Sequence, residues 1–329
     1  MLIVKKPVKV LVSDPIAAKG VEKLAQEAEV KQVPGLTEDE LVAIIPEFDA
    51  LVVRSETRVT ARVIEASRRL KVIGRAGAGV DNIDVPAASR RGIIVLNAPD
   101  GNTIAAAEHT FGLILALSRN IPQACATLKD NKWKRGEFMG VELYDKVLGV
   151  IGLGRIGREV AKRARAFGMW VLAYDPLLTL DEAQRLDVEK GELAQVLRAA
   201  DYLTVHSPLT PETRHLISRD QFALMKDGVR LVNCARGGIV HEEALVEALK
   251  SGRVAGAALD VFEKEPAVEN SLIKFPNVIV TPHLGASTRE AQVKVALTVA
   301  DQILRALRGE PVTTAVNFAA RPERTARTA

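Results

Sequence analysis

Three polar side chains in the second half of the chain each follow a short apolar segment. Arg236 lies in NCARGG, Glu265 in DVFEKEP and His283 in TPHLGAS. Imidazole has the side-chain pKa nearest neutrality, so His283 is a candidate base for a hydroxyl proton. A carboxylate on its other ring nitrogen would fix the tautomer and stabilise the imidazolium, which suits Glu265. The planar guanidinium of Arg236 could hold a substrate carboxylate in a bidentate pair.

A glycine-rich segment near the middle of the chain predicts a dinucleotide site. The apolar run 147–151 leads into GxGxxG, formed by Gly152, Gly154 and Gly157, and an amphipathic helix follows. Gly152 permits the tight turn, Gly154 the close approach of a pyrophosphate, and Gly157 the packing of helix against strand. Asp175 lies 23 residues after Gly152, at the end of the next strand. A carboxylate there binds the adenosine ribose hydroxyls and repels a 2′-phosphate, which favours NAD over NADP.

Length and composition narrow the class of protein. The chain has 329 residues, which is longer than chains that usually fold around a single hydrophobic core, so we expect two domains. The net charge of +4 without a long basic run, and the 4% aromatic content, argue against nucleic-acid binding. The two cysteines, Cys125 and Cys234, lack CxxC spacing, so we expect neither disulfides nor a metal site. The longest apolar run, 111–117, is too short to span a bilayer, and we expect a cytoplasmic protein without membrane contacts.

Short β-branched runs alternate with amphipathic segments on both sides of the glycine motif, which predicts an α/β protein with two doubly wound parallel sheets. The predicted strands are 8–12, 30–33, 50–54, 70–74, 147–151, 169–174, 202–206, 230–234, 256–259 and 278–281, and the predicted helices of the first half are 16–28, 37–45 and 60–66. Long helices at 103–117 and 289–307 flank the second sheet. They predict a discontinuous domain, 1–98 plus 287–329, around a domain of 99–286, with substrate at the carboxyl ends of the strands between them.

Several motifs together resemble the D-isomer-specific 2-hydroxy acid dehydrogenase family, and within it the phosphoglycerate dehydrogenase branch. They are GLGRIG with Asp175, NCARGGIV, DVFEKEP and TPHLGAST, and in the N-terminal part VVRSETRVT, GRAGAGVDNIDV and NAPDGNT. The resemblance covers nearly the whole chain. It implies a Rossmann NAD-binding domain inserted into a flavodoxin-like substrate-binding domain. It also implies that His283 is the base, Glu265 its orienting carboxylate and Arg236 the substrate-binding arginine.

The resemblance further implies which residues surround the dinucleotide, from the pyrophosphate and ribose to the nicotinamide. They are Gly152, Gly154, Arg155, Ile156, Gly157, Asp175, Pro176, His206, Ser207, Pro208, Cys234, Ala235, Asp260, Gly285 and Ala286. Ala78 and Ser207 stand where close relatives can have threonine. We expect this difference to alter a hydrogen bond or two and not the choice of cofactor.

A phosphorylated hydroxy acid would need cationic groups in the first domain. Arg54 and Arg75 end predicted strands there, and the resemblance favours both as phosphate ligands over ordinary surface charges. Further predicted substrate contacts are Ser55, the backbone amides of Gly77, Ala78 and Gly79, and Asn102. Arg135 is similar to a family residue that reaches into the neighbouring subunit's site, which implies a homodimer. Trp133 beside it is either an interface anchor or a buried core residue.

The expected reaction is oxidation of D-3-phosphoglycerate to 3-phosphohydroxypyruvate with reduction of NAD, at the entry to serine synthesis. A hydroxypyruvate or glyoxylate reductase would share every catalytic residue. A formate dehydrogenase is disfavoured because that branch has Gln where Glu265 stands. An NAD-sensing corepressor of the same fold is a third alternative. Longer members continue beyond a segment like 314–318 into serine-binding domains, so we do not expect serine feedback in this chain, whether it is naturally short or truncated.

Overall fold

The computed structural model describes residues 7–318, which form two compact units. Unit 1 comprises the chain up to Asn102 together with the chain from Ala286, and unit 2 runs from Thr103 to Gly285. The sequence placed the first boundary four residues earlier, after residue 98, and the second one residue later, after residue 286. Unit 1 extends further because the turn before Thr103 packs within it: a Cβ on Gly101 would lie 2.3 Å from Cγ1 of Val295.

Strands and helices alternate along both units. The strands are β1 (Lys9–Val12), β2 (Glu29–Gln32), β3 (Ala50–Val53), β4 (Val72–Arg75), β5 (Ile94–Leu96), β6 (Val147–Ile151), β7 (Trp170–Tyr174), β8 (Glu189–Lys190), β9 (Tyr202–Val205), β10 (Val229–Asn233), β11 (Val254–Leu259) and β12 (Val278–Val280). The helices are α1 (Ala18–Ala25), α2 (Glu38–Ile44), α3 (Ala61–Ala66), α4 (Val85–Arg90), α5 (Thr103–Arg119), α6 (Ile121–Lys129), α7 (Arg155–Ala166), α8 (Leu180–Arg185), α9 (Leu193–Ala199), α10 (Arg219–Leu224), α11 (Glu242–Lys250) and α12 (Arg289–Arg308). Within the described residues, no helix is both long enough and apolar enough to cross a membrane.

Unit 1 contains a five-stranded parallel sheet in the order β2-β1-β3-β4-β5, which is the flavodoxin-like order. Successive strand residues point to opposite faces, and both faces are buried. Val10, Val52 and Val72 pack with α12 on one face, and Leu11 and Ile73 pack with the helices on the other. The C-terminal helix is therefore part of the core of unit 1.

Unit 2 contains a seven-stranded parallel sheet in the order β12-β11-β10-β9-β6-β7-β8. The strand order reverses between β6 and β9, which is the Rossmann pattern, and ligands of such sheets bind beyond the carboxyl ends of the strands at that point. The predicted α/β class with two doubly wound sheets is confirmed. The strands β10, β11 and β12 lie side by side, and each leads into a segment that carries one of the three candidate catalytic residues.

Candidate active site

His283 and Glu265 are in direct contact. The Nδ1 atom of His283 lies 2.9 Å from Oε2 of Glu265, and Oε1 of that carboxylate accepts a hydrogen bond from the Phe262 N–H. Partial burial acts to raise the pKa of Glu265, but the hydrogen bond from His283, the imidazolium charge and the Phe262 N–H outweigh it, so the pKa lies below its usual value. The carboxylate is therefore ionised and holds the ring through Nδ1, and Nε2 takes no part in this contact.

The backbone of His283 is left-handed, with φ at 56°. This region is uncommon for a residue with a Cβ, so the surrounding contacts must impose it. The His283 N–H donates to the carbonyl of Asp260 at 2.9 Å, and the next residue, Leu284, donates its N–H to Oδ1 of Asp260 at 2.7 Å. The same His283 N–H also lies 3.0 Å from the Thr281 carbonyl, so the turn that presents the imidazole is fixed both by its own segment and by Asp260, the residue after β11.

Asp260 is the centre of this loop network, and its side chain is only 1% exposed. Besides Leu284, its carboxylate accepts the Gly285 N–H at 2.8 Å and the Thr281 hydroxyl, and it lies 3.3 Å from Nε2 of His109. Burial acts to raise the pKa of Asp260, but these hydrogen bonds hold it below the usual value. The sequence assigned Asp260 and Gly285 to the cofactor; here they bind each other. Sequence reasoning missed His109, because nothing in its helix distinguishes it.

Arg236 follows β10 and is half-buried. The turn that carries it is closed by Asn233, whose Oδ1 accepts the Ala235 N–H and whose Nδ2 donates to the Arg236 carbonyl, both at 3.0 Å. Nη1 of Arg236 donates to the Ala235 carbonyl at 2.7 Å. The arginine therefore stands at the carboxyl edge of the strand next to β11, the strand that leads towards Glu265.

The glycine turn after β6 has the geometry that a dinucleotide requires. Gly152 has φ at 89°, which favours glycine, and a Cβ on Gly157 would lie 2.2 Å from the Gly152 carbonyl oxygen. A Cβ on Gly154 would meet nothing within 4 Å, so this position faces open space. Helix α7 begins at Arg155, so Arg155 and Ile156, which the sequence assigned to the pyrophosphate, lie in its first turn.

Asp175 is anchored to the same turn. Its Oδ2 accepts the Leu153 N–H at 2.8 Å, and its Oδ1 accepts the Leu177 N–H at 2.9 Å. Pro176, the residue after Asp175, is exposed. Each carboxylate oxygen has two lone pairs, so both retain an acceptor position for a ribose hydroxyl. The acidic residue that the sequence assigned to the ribose is thus held in place by the loop assigned to the pyrophosphate.

The later strand ends present uncharged groups. Burial lowers the pKa of His206 to about 4, and its Nε2 lies 3.0 Å from the Thr204 hydroxyl. Burial raises the pKa of Cys234 to about 12, against a hydrogen bond with Thr110. The Ser207 hydroxyl donates to the Ile151 carbonyl at 3.4 Å. Of the remaining predicted cofactor contacts, Pro208 is exposed, Ala235 is buried, and the Ala286 carbonyl accepts a hydrogen bond from Gln292.

Comparison with known proteins matches residues 111–285 to the family of D-isomer specific 2-hydroxyacid dehydrogenases, NAD binding domain. The chain is also 54% identical to D-3-phosphoglycerate dehydrogenase of Methanocaldococcus jannaschii over 94% of its own length and 60% of that protein, and 51% identical to that of Bacillus subtilis over 95% of its own length and 59% of that protein. The chain belongs to the D-isomer specific 2-hydroxyacid dehydrogenase family. The predicted family and the predicted NAD cofactor are confirmed.

Solved structures agree with this membership of the 2-hydroxyacid dehydrogenases. The TT0316 protein of Thermus thermophilus is 35% identical with a TM-score of 0.87, covering 94% of this chain and 100% of that one. A glyoxylate reductase from Paecilomyes thermophila is 31% identical with a TM-score of 0.87, covering 95% and 99%. The chain spans about 60% of the length of the curated relatives that it matches: 60% of the Methanocaldococcus jannaschii protein and 56% of a Synechocystis D-3-phosphoglycerate dehydrogenase.

Arg54 and Arg75 of this 2-hydroxyacid dehydrogenase lie at the ends of adjacent strands of unit 1, since Val53 is paired with Arg75. The turn at Arg54 is held by Asp14, which is 1% exposed and accepts the Arg54 N–H at 2.5 Å, and by Asn82, which donates to the Arg54 carbonyl at 2.8 Å. Arg54 lines a cavity of about 480 Å³ with Ala17, Ser287, Thr288, Arg289, Gln292 and Val293. Sequence reasoning missed Asp14 and Arg289, since their segments are far from Arg54 along the chain.

Gly77 was predicted to offer its backbone amide to the substrate. In this structure the Gly77 N–H donates to the Arg75 carbonyl at 2.8 Å. Gly77 instead makes room, since a Cβ there would lie 1.6 Å from Nη1 of Arg75. The Ala78 carbonyl accepts a hydrogen bond from Asn97, and Gly79 is half-buried beside it. Ser55 is exposed next to Arg54.

Two further predicted contacts are Asn102 and Arg135. Oδ1 of Asn102 is buried and has no hydrogen-bond partner among the described residues, so it is available to a ligand. Arg135 begins a short 3₁₀ turn and is exposed. Trp133 beside it is 82% exposed, so the alternative of a buried core tryptophan is wrong.

Proposed function

We propose that this chain oxidises D-3-phosphoglycerate to 3-phosphohydroxypyruvate and reduces NAD, at the entry to serine synthesis. The observation that carries the proposal is the 2.9 Å contact between Nδ1 of His283 and Oε2 of Glu265 at the carboxyl edge of an NAD-binding domain. The similarity to proteins named D-3-phosphoglycerate dehydrogenase supports the choice of substrate. Unit 2 is then the cofactor domain and unit 1 the substrate-binding domain.

The chain's own groups account for the movement of the proton. Bound NAD supplies the acceptor for the hydride that leaves C2 of the substrate. His283 takes the C2 hydroxyl proton on Nε2, because Nδ1 faces Glu265. The ionised Glu265 stabilises the imidazolium that forms, and Arg236 holds the substrate carboxylate. In the reverse direction the imidazolium returns the proton to the ketone oxygen.

Arg54 and Arg75 are assigned to the substrate phosphate. They end neighbouring strands, and Gly77 leaves space for the Arg75 guanidinium. Two guanidinium groups suit a phosphate dianion, since each can donate two parallel N–H bonds. Asn102 has a buried Oδ1 without a hydrogen-bond partner among the described residues. We assign this oxygen to accept a hydrogen bond from the substrate hydroxyl or from a donor group next to it.

The proposal includes a homodimer and a cytoplasmic location. Helix α6 has no buried residue, and large apolar side chains next to it are exposed, with Trp133 at 82% and Met139 at 89%. An apolar patch of this kind on a folded domain is typical of a protein interface. A second copy of the chain would cover it and would bring Arg135 to the neighbouring site.

The test compares initial rates of NADH formation on D-3-phosphoglycerate and D-glycerate, with NAD in excess and the ketone product trapped. We expect a strong preference for the phosphorylated acid. Arg54→Gln should raise KM for that acid by roughly 10-fold or more and leave D-glycerate unchanged, because only the phosphate contact is lost. Arg58→Gln, an exposed arginine of the same loop, is the matched control and should change neither.

The other outcomes separate the alternatives. Comparable rates, or preference for D-glycerate, would move the enzyme to the hydroxypyruvate or glyoxylate reductases. Absence of turnover combined with tight NADH binding would support an NAD-sensing binding protein. His283→Asn should lower turnover on the better substrate by roughly 100-fold while NADH binding stays intact, as expected for a lost general base.

A further inference from the structure

Two histidines and a glutamate that have no role assigned above lie together in unit 2. Among the described residues, His215, His241 and Glu263 each offer one ligand atom within 4.8 Å of the other two. Nε2 of His215 lies 3.2 Å from Oε1 of Glu263, and the two imidazole centroids are 4.4 Å apart. The histidines are half-buried and Glu263 is on the solvent side. The cluster combines the nitrogen and oxygen ligands that a borderline-soft cation prefers.

The backbone fixes all three residues. The His215 N–H donates to the Gly238 carbonyl at 2.7 Å, and the His241 N–H donates to the Ile217 carbonyl at 2.9 Å, so the two histidines sit on paired segments. The Glu263 N–H donates to Oε1 of Glu242 at 2.7 Å, and the Glu242 N–H donates to Oε1 of Glu263 at 3.1 Å. The backbone positions of the three residues are therefore fixed before any ion arrives, and Glu242 orients the carboxylate of Glu263.

The ring nitrogens of the cluster are not satisfied by hydrogen bonds within the described residues. Nδ1 of His241 is buried and makes none, and the buried Nε2 of His215 has only its 3.2 Å approach to Oε1 of Glu263, which lacks hydrogen-bond geometry. Buried polar atoms in folded proteins are usually satisfied, so an imidazole lone pair without a donor calls for a ligand. A metal about 2.0 Å from each ligand atom sets those atoms about 3.3 Å apart in a tetrahedral site. The 3.2 Å separation of Nε2 of His215 and Oε1 of Glu263 matches this distance, and the other separations, up to 4.8 Å, would have to shorten by side-chain rotation when the ion binds.

We propose that His215, His241 and Glu263 bind one divalent transition-metal ion of the Zn²⁺ type, with water completing its coordination. Two imidazoles and one carboxylate are a three-ligand set used for Zn²⁺. The ion would tie two loops of the active site together, since His241 lies five residues after Arg236 and Glu263 two residues before Glu265. Its role is to stabilise unit 2, and no step of the hydride chemistry passes through it. Cysteine spacing could not reveal this site, because its ligands are two histidines and a glutamate from three separate segments.

The test is titration of the full chain with Co²⁺, followed by visible absorption, and then by competition with Zn²⁺. We expect one ion per chain, the ligand-field bands of a four- or five-coordinate nitrogen and oxygen site, and no thiolate charge-transfer band from Cys125 or Cys234. Zn²⁺ should displace Co²⁺ and raise the midpoint of thermal unfolding, since a ligand that binds only the folded state stabilises it.

The variants are chosen to keep the fold. His215→Asn suits the left-handed backbone at φ 53°, His241→Asn remains a favourable residue before α11, and Glu263→Gln keeps an acceptor for the Glu242 N–H. Each should weaken Co²⁺ binding by at least about 10-fold. Glu243→Gln, an exposed carboxylate in the first turn of α11, is the matched control and should bind as the parent does.

Co²⁺ bands that survive in His241→Asn would assign the ion elsewhere and overturn the proposal, as would the absence of bands from the parent protein. X-ray absorption of the Zn²⁺-loaded parent does not depend on how any variant folds. It should show imidazole scattering from two histidines and no sulfur, and sulfur among the atoms bound to the ion would also overturn the site. The substrate test above does not bear on this outcome, since the ion takes no part in turnover.

Discussion

Burial keeps the imidazole of His206 neutral. Its pKa is lowered from the usual 6.5 to about 4 by burial beside Thr204. Between these two values the unfolded chain binds a proton at this residue that the folded chain does not, so acid favours unfolding. The contribution of His206 to stability is therefore complete above about pH 6.5 and is lost as the pH falls towards 4.

The variant His206→Gln removes this titration and keeps a polar atom near the Thr204 hydroxyl. The free energy of unfolding of the parent, measured in urea at about pH 7.5 and about pH 4.5, should fall further on acidification than that of the variant. The difference approaches 3 kcal/mol at most, since each pKa unit corresponds to about 1.4 kcal/mol. Other groups titrate equally in both proteins and cancel. Equal losses in the two proteins would contradict a buried neutral His206.

The residues of the candidate active site divide into those that local sequence can reveal and those it cannot. His283 and Glu265 were predictable as a pair because each follows a strand of one parallel sheet, and carboxyl ends of such strands share an edge. The left-handed backbone of His283 and its dependence on Asp260 could not be predicted, because the hydrogen bonds that hold this backbone join separate loops. The same reason hid Asp14, whose carboxylate fixes the Arg54 turn from 40 residues away.

At the scale of elements, the turn from β6 to α7 depends on two glycines for different reasons. A Cβ on Gly157 would lie 2.2 Å from the Gly152 carbonyl oxygen, so the helix would have to move away from the strand. Apart from its chain neighbours, a Cβ on Gly154 would meet no atom of the described protein within 4 Å, so on our proposal the pyrophosphate is what it would contact.

The pair of variants Gly157→Ala and Gly154→Ala separates packing from cofactor binding. Gly157→Ala should lower stability by about 1 to 3 kcal/mol, as overpacked cores do, and weaken NADH binding as well. Gly154→Ala should leave stability nearly unchanged and weaken NADH binding by at least about 10-fold. Thermal unfolding and a fluorescence titration with NADH measure the two effects. A Gly154→Ala protein that binds NADH normally would place the pyrophosphate elsewhere.

The longer elements were predictable from periodicity, whereas several short ones were not. Helices α5 and α12 begin at the residues predicted from the sequence, Thr103 and Arg289. The sequence did not predict β5, a strand of three residues. Val95 of β5 makes two hydrogen bonds with a segment about 222 residues further along the chain. Its N–H donates to Oδ1 of Asn317, and its carbonyl accepts the N–H of Val316. A local pattern carries no trace of such a partner.

At the scale of the whole molecule, the discontinuous organisation follows from one helix. The side chains of α12 at Val295, Val299 and Ile303 lie in the same core cluster as Val10 and Val52, so a segment near the end of the chain completes a sheet begun near its start. Burial of the wide apolar face of α12 on this sheet removes that face from water. Along the chain, unit 2 is therefore an insertion into unit 1.

The proposed homodimer makes the last prediction. Trp133, at 82% exposed, should be an anchor of the interface, and the other tryptophan, Trp170 at 61% exposed, packs against Arg165 within its own chain and serves as the matched control. Trp133→Ser should weaken dimerisation by roughly 10-fold or more, in line with a buried aromatic at an interface centre, and Trp170→Ser should not. Sedimentation equilibrium of the parent and both variants measures this. A monomeric parent, or a dimer that Trp133→Ser leaves as tight as before, would remove the second copy from the proposal and leave Arg135 without a neighbouring site to reach.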